Sequence, residues 1–182
     1  MIYLRYALLL IPYSLLIIYF LHLSMSVEIH NGSKYPAVKI FLLWLIGGTV
    51  YIVMEICFRG YSHWTMFILG GICFIEIGLE NEFLKWDTPI ELQALIGAVL
   101  VTCNEFIVGL IVNKGFGLGV WDYTGQPFNV LGQICLTFTI LWFFIAILAI
   151  IVDDILRYYL WGEEVPRYYS IVFDRRFVLN LT

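Results

Sequence analysis

The sequence predicts an all-α membrane protein of about five transmembrane helices, on three observations. First, 62% of its 182 residues are hydrophobic and 13% charged, whereas a soluble domain carries about 25% charge to keep its surface in water. Second, apolar residues gather into five runs, 3–23, 40–58, 64–83, 90–112 and 128–152. Each is close to the roughly 20 residues a helix needs to cross hydrocarbon. Third, the runs are separated by short polar or glycine-rich stretches, which leave no room for a soluble domain. Residues 1–162 are thus read as a single transmembrane domain and 163–182 as a cytoplasmic tail.

The first run is read as a retained span, kinked at Pro12. Its only charge is Arg5, its apolar stretch is long, and no small-residue cleavage site follows. Asn31-Gly32-Ser33 marks a turn in the loop after it. Arg59-Gly60-Tyr61-Ser62-His63 makes a very short link between the second and third runs. Pro89 suits the first turn of the fourth. A longer glycine-rich loop, 113–127, carries Trp121-Asp122-Tyr123-Thr124 before the fifth run. After Asp153, charges alternate with Ile155, Leu156, Tyr158, Tyr159, Leu160 and Trp161, a pattern suited to a C-terminal amphipathic helix in the membrane interface. Trp44, Trp64, Trp86, Trp121 and Trp161 fall near predicted span ends, as an aromatic belt requires.

Orientation follows from Lys and Arg near the span ends. One side holds Arg5, Arg59 and Lys114; the other holds Lys34, Lys39, Lys85, Arg157 and Arg167. The richer side belongs in the cytoplasm, so the N-terminus is expected outside and the C-terminus inside.

An internal repeat is also predicted. Leu45-Ile46-Gly47 with Glu55 matches Leu95-Ile96-Gly97 with Glu105, and Leu69-Gly70-Gly71-Ile72-Cys73 matches Leu131-Gly132-Gln133-Ile134-Cys135. Two helical hairpins in parallel repeat would follow, with the N-terminal helix outside them.

Several chemistries are excluded. A net charge of −4 with no basic stripe leaves nothing for nucleic acid. No Gly-x-x-x-x-Gly-Lys-Ser/Thr loop is present, so the chain has no ATPase activity of its own of the P-loop kind. Cys57, Cys73, Cys103 and Cys135 fall singly in apolar runs rather than in metal-ligand spacing, and neither a metal nor a cofactor is expected. Gly71 and Gly78, about two turns apart, are expected to admit a neighbouring helix closely.

Ionisable groups within a span cost about 2.5–3.5 kcal/mol each on insertion scales, so they face protein or a wet cavity. Glu55 and Arg59 stand one turn apart, as do Glu76 and Glu80, while Asn104 and Glu105 lie inside the fourth run. His63, Trp121, Asp122, Tyr123, Asn129 and Gln133 fall on the loops and span ends nearest Glu55. These residues, with Glu55, Arg59, Glu76, Asn104 and Glu105, are the substrate- or ion-binding candidates. Each has a plainer reading: a salt bridge for Glu55 and Arg59, interhelical hydrogen bonding for Asn104 and Glu105, and capping for His63 and Asp122.

Glu55-x-x-x-Arg59-Gly60, the glycine pair in Phe67-Ile68-Leu69-Gly70-Gly71, and Trp121-Asp122-Tyr123-Thr124-x-x-Pro127-Phe128-Asn129-x-x-Gly132-Gln133-Ile134-Cys135-Leu136 resemble the ABC-transporter type IV family of CmpB-like permeases. The resemblance covers about residues 44–162. The loop after Arg59 is shorter than in many members. Membership implies a bacterial inner-membrane permease whose partner is the bilayer and a separate ATPase subunit or other membrane protein, with homo-oligomers also compatible.

Together these readings predict a permease-like or substrate-binding transport subunit with an outward-facing polar pocket between two hairpins. Two alternatives come from other classes. One is a structural membrane subunit of an envelope complex, with its polar residues serving packing. The other is an intramembrane acid-base enzyme acting on a lipid through Glu55, Glu105 and Asp122.

Overall fold

A computed structural model describes residues 36–85 and 87–179, with Ile18, Tyr19, His22, Met25 and Ser26. Apart from Ile18, Tyr19 and His22, the expected first span lies outside the described residues, as does Trp86. The described chain is mostly helical: α1 (Pro36–Arg59), α2 (Trp64–Phe83), α3 (Ile90–Gly109) running into a π-helix (Leu110–Gly115), and α4 (Leu136–Trp161). Among the described residues three helices are long and apolar enough to cross a membrane: Pro36–Arg59, Ile90–Gly115 and Leu136–Trp161. The chain is therefore a membrane protein, with Phe41, Val53, Leu95, Val99, Phe144 and Leu148 among the apolar side chains on its outer surface.

The helix α2 is the central one. It packs chiefly on α1 and also touches α3 and α4, while α3 and α4 pack on each other. Each outer helix turns a stripe inward at three- and four-residue spacing: Lys39, Ile40, Leu43, Gly47 and Tyr51 from α1; Ala94, Gly97, Ala98, Val101 and Glu105 from α3; Trp142, Ala146, Ile150, Asp153 and Arg157 from α4. Van der Waals contact drives such packing in lipid, so small residues set how closely backbones approach. The expected contacts at Gly71 and Gly78 are both present. A Cβ at Gly71 would stand 2.5 Å from Trp44 Cδ1, and one at Gly78 would stand 2.5 Å from Asp153 Oδ2.

Several expectations are corrected. The fifth run begins at Leu136 rather than 128, because 128–135 is irregular backbone. Phe128, Leu131 and Gly132 have positive φ of 53°, 53° and 70°, a region that helices do not use. Residues 153–161 are no separate amphipathic helix. They continue α4, which stops at Gly162 in the left-handed conformation. The second pair of repeat strings falls on unlike structure, since Gly70-Gly71 lies within α2 and Gly132-Gln133 in the irregular segment. Trp121 is buried in the folded loop and is no part of an exposed interfacial belt, and Trp44 packs edge-on against Phe67 at 4.9 Å.

Within 163–182, the chain departs from all-α. Arg167–Ser170 (β1) pairs antiparallel with Arg175–Val178 (β2). This hairpin is pinned to the start of α3, where Glu91 accepts hydrogen bonds from Ser170 Oγ, Ile171 N (3.1 Å) and Val172 N (3.3 Å). Tyr168 O–H reaches Asp154 Oδ2 at 2.8 Å, tying the hairpin to α4.

Candidate functional site

A cavity of about 590 Å³ opens where α1 ends, walled by Tyr51, Met54, Glu55, Cys57, Phe58 and Arg59 of α1 with Tyr61. Trp121, Asp122 and Tyr123 of the long loop, and Phe138, Leu141, Trp142 and Ile145 of α4, close the other sides. The loop can form a wall because it is folded onto the bundle. The π-helix brings Asn113 round so that its Oδ1 accepts from Val120 N (2.7 Å) and its Nδ2 donates to Gln133 Oε1 (2.9 Å). Trp121 Nε1 donates to Gln133 O (2.9 Å) and Tyr123 N to Gly132 O (2.8 Å), closing the loop on itself. A π turn is a common device for redirecting side chains at such places.

Rings make most of the wall. Tyr51 stacks on Trp142 at 5.7 Å and Tyr123 on Phe138 at 4.6 Å. The charged groups sit among them. Arg59 Nη2 lies 2.7 Å from Glu55 Oε1, Nη1 donates to Val120 O at 2.9 Å, and the guanidinium stands 4.7 Å over the Tyr61 ring. Ser62 Oγ donates to the other oxygen of Glu55. Asp122 is exposed at the mouth, and the Thr124 backbone N–H donating to Oδ1 (2.9 Å) holds its carboxyl below the ordinary carboxylate range. Glu55, Arg59 and Asp122 leave the lining one net negative charge.

Glu105 stands directly behind this wall, 2% exposed. It accepts from Tyr123 O–H at 2.9 Å and from Trp142 Nε1 at 3.0 Å, and both donors line the cavity. Glu55 and Glu105 are within electrostatic reach of each other and of Tyr51. The structure thus brings Glu55, Arg59, Trp121, Asp122, Tyr123 and Glu105 together.

The other candidates stand elsewhere. His63 N-caps α2, its Nδ1 accepting from Thr65 N at 3.3 Å. Asn129 braces the loop by donating to Thr124 O and Gln126 O and accepting from Gly132 N. Gln133 is the loop's buried anchor. Glu76 lies deeper, accepting a hydrogen bond from Asn104 Nδ2. Sequence reasoning missed Tyr51, Phe138 and Trp142, because an aromatic side chain within an apolar run carries no mark separating a cavity wall from a lipid face. Among the described residues no group of three or more His, Cys, Asp or Glu side chains is placed to hold a metal ion.

Burial, and then the charge of Glu105, raise the Tyr123 phenol well above its ordinary value. The folded state then holds this proton more tightly than the unfolded chain, whose phenol titrates at about 10. The sign is that stability from this group is intact below about pH 10 and lost as pH rises beyond it. Unfolding titrations between pH 9 and 11.5 should show a shallower alkaline loss for Tyr123→Phe than for wild type. Parallel curves would place the titration elsewhere.

The sequence pattern described as "Putative ABC-transporter type IV" matches residues 43–174, well over half the chain and all of the cavity wall. The chain belongs to this family. No curated protein and no solved structure matches it. Family membership and the three apolar helices make it a membrane protein of the transport-related class.

Proposed function

We propose that the protein is a permease-like or substrate-binding transport subunit whose cavity takes a small ligand with an apolar body and a cationic group. The cavity carries this reading: about 590 Å³ of space walled by aromatic rings and bearing net negative charge. A cation over aromatic faces gains about 0.5–2 kcal/mol per contact, more when desolvated, and a mostly apolar cleft with few polar groups is the usual form of a small-molecule site. Arg59 and Lys114 stand at the cavity end of the chain, whereas Lys39, Lys85, Arg157 and Arg167 stand at the other. The positive-inside rule then supports a cavity facing outward across a bacterial inner membrane. A separate ATPase would supply the energy, as the family's description implies.

The test uses the purified full chain and simple probes, an alkyltrimethylammonium and an alkylsulfonate of equal chain length. Quenching of tryptophan fluorescence should saturate with the cation and not with the sulfonate. Glu55→Gln should weaken the cation about tenfold, equivalent to about 1.4 kcal/mol. Equal response to both probes, or no change in the variant, would reject a cation site.

A second reading, a structural subunit that organises an envelope complex, is favoured by the internal bonds of His63, Asn104, Asn129 and Gln133. The Glu105 variants argued below separate the two.

A further inference from the structure

We infer that the buried carboxyls of Glu105, Glu76 and Glu80 form a proton-carrying line through the bundle, from behind the aromatic cavity toward its opposite end. The three sit on the facing helices α2 and α3 and are 2%, 5% and 6% exposed. Among the described residues no cation is bonded to any of them. Glu105 receives the Tyr123 hydroxyl and the Trp142 indole, and Glu76 receives the Asn104 amide. Among the described residues Glu80 receives no hydrogen bond on either oxygen, although both are buried. Its Oε1 lies 3.2 Å from where a Cβ on Gly97 would stand, in a space shared with Ala146 and Ile77.

An acid so placed is costly if its only use is packing. An ionised carboxylate without a partner costs several kcal/mol in such surroundings, and a neutral one still leaves polar atoms unbonded. A carboxyl that can be protonated, however, donates in one state and accepts in the other, which is what a relay link requires. Chains of acids within spans are used in this way.

The line is laid out by the helices: Asn104, the residue before Glu105 on α3, bonds Glu76 of α2, and Glu80 stands one turn further along α2. At the cavity, Tyr123 O–H bridges the lining to Glu105. Toward the other end stands Gln93, one turn from Gly97 on α3, buried and with an unbonded Oε1. Among the described residues, Lys39 of α1 pairs with Glu163, Asp153 with Arg157 on α4, Asp154 of α4 with Tyr168, and Glu91 of α3 with the hairpin. A proton taken up by Glu105 passes to Glu76 and then to Glu80, each carboxylate accepting as its neighbour releases. No bond to carbon changes and the membrane potential supplies the drive.

The test does not depend on which ligand the cavity takes. The full chain is reconstituted in phosphatidylethanolamine–phosphatidylglycerol vesicles containing pyranine, and valinomycin with a potassium gradient sets the interior negative. Wild type should acidify the interior faster than protein-free vesicles. Glu80→Gln should reduce the protein-dependent rate about tenfold, the effect of raising one barrier by a decade. Glu80→Asp should restore part of it, and the distant Glu164→Gln should leave it unchanged. Dicyclohexylcarbodiimide, which adds to protonated carboxyls in apolar surroundings, is applied to wild type so that the answer does not rest on the folding of a variant. Its label should map to Glu76 or Glu80 and abolish the flux. Wild-type flux equal to that of empty vesicles, or full flux with the label in place, would overturn the line. Cation binding in the cavity with no proton flux would leave the proposed pocket standing and remove this inference alone.

Discussion

Arg157→Met is expected to destabilise the folded chain by about 3–5 kcal/mol, the usual result of removing one member of a buried ion pair. Arg157 Nε donates to Asp153 Oδ2 one turn back on α4, and the two side chains are 6% and 0% exposed. Asp153 also sits directly over Gly78 of α2, where a Cβ would come within 2.5 Å of its carboxyl. The acid is therefore wedged between helices and cannot turn out toward water when its partner is lost. The charge would remain in the interior with one oxygen, Oδ1, already lacking a hydrogen bond. Adding Asp153→Asn removes the orphaned charge with little change of shape, so the double variant should recover most of the loss. Unfolding of the three proteins in mixed detergent micelles, followed by circular dichroism, measures the difference. If the double variant is as unstable as Arg157→Met, the loss lies in packing of the arginine stem and not in the pair.

What the sequence shows and what it hides divide along physical lines. Apolar run length locates α1 and the start of α3, because crossing hydrocarbon demands that length wherever the side chains point, and the turn residues between runs locate α2. The glycines that admit Trp44 and Asp153 are legible for a related reason, since small residues at helical spacing have few other uses in lipid. The irregular segment 128–135 is hidden because Phe128, Val130, Leu131 and Ile134 look like the opening of a span. Its geometry is set by side-chain bonds from Asn129 to Gln126 O and from Gln133 to Leu131 O within the loop itself, which periodicity does not register. The β-hairpin is hidden likewise. Its strands are four residues each, and the contact that holds it comes from Glu91, about eighty positions earlier. Glu55, Glu105 and Tyr123 are legible as a cluster through depth and chain order. The aromatic partners that turn the cluster into a cavity are not.

The Glu105 series is expected to separate a functional role from a packing role. Glu105→Leu leaves the Trp142 indole and the Tyr123 hydroxyl without their acceptor behind the cavity wall. Each unsatisfied buried donor costs about 1–3 kcal/mol, so the variant should lose about 2–6 kcal/mol and its loop should loosen. Glu105→Gln keeps an oxygen for one donor, presents an N–H₂ group to the other side, and removes only the ability to ionise. Tyr123 can turn its hydroxyl to accept from that group, so this variant should fold with nearly the stability of wild type. The two readings part at that point. A transport role predicts that the folded Gln variant loses cation binding and proton flux together, because Glu105 supplies both charge behind the wall and the first link of the line. A packing role predicts that it retains whatever wild type does. Thermal unfolding, tryptophan quenching by the alkyltrimethylammonium, and vesicle acidification on the same three proteins give the answer. Normal folding with both activities intact would reduce Glu105 to a brace for Trp142 and Tyr123, and would turn the preference toward the structural subunit.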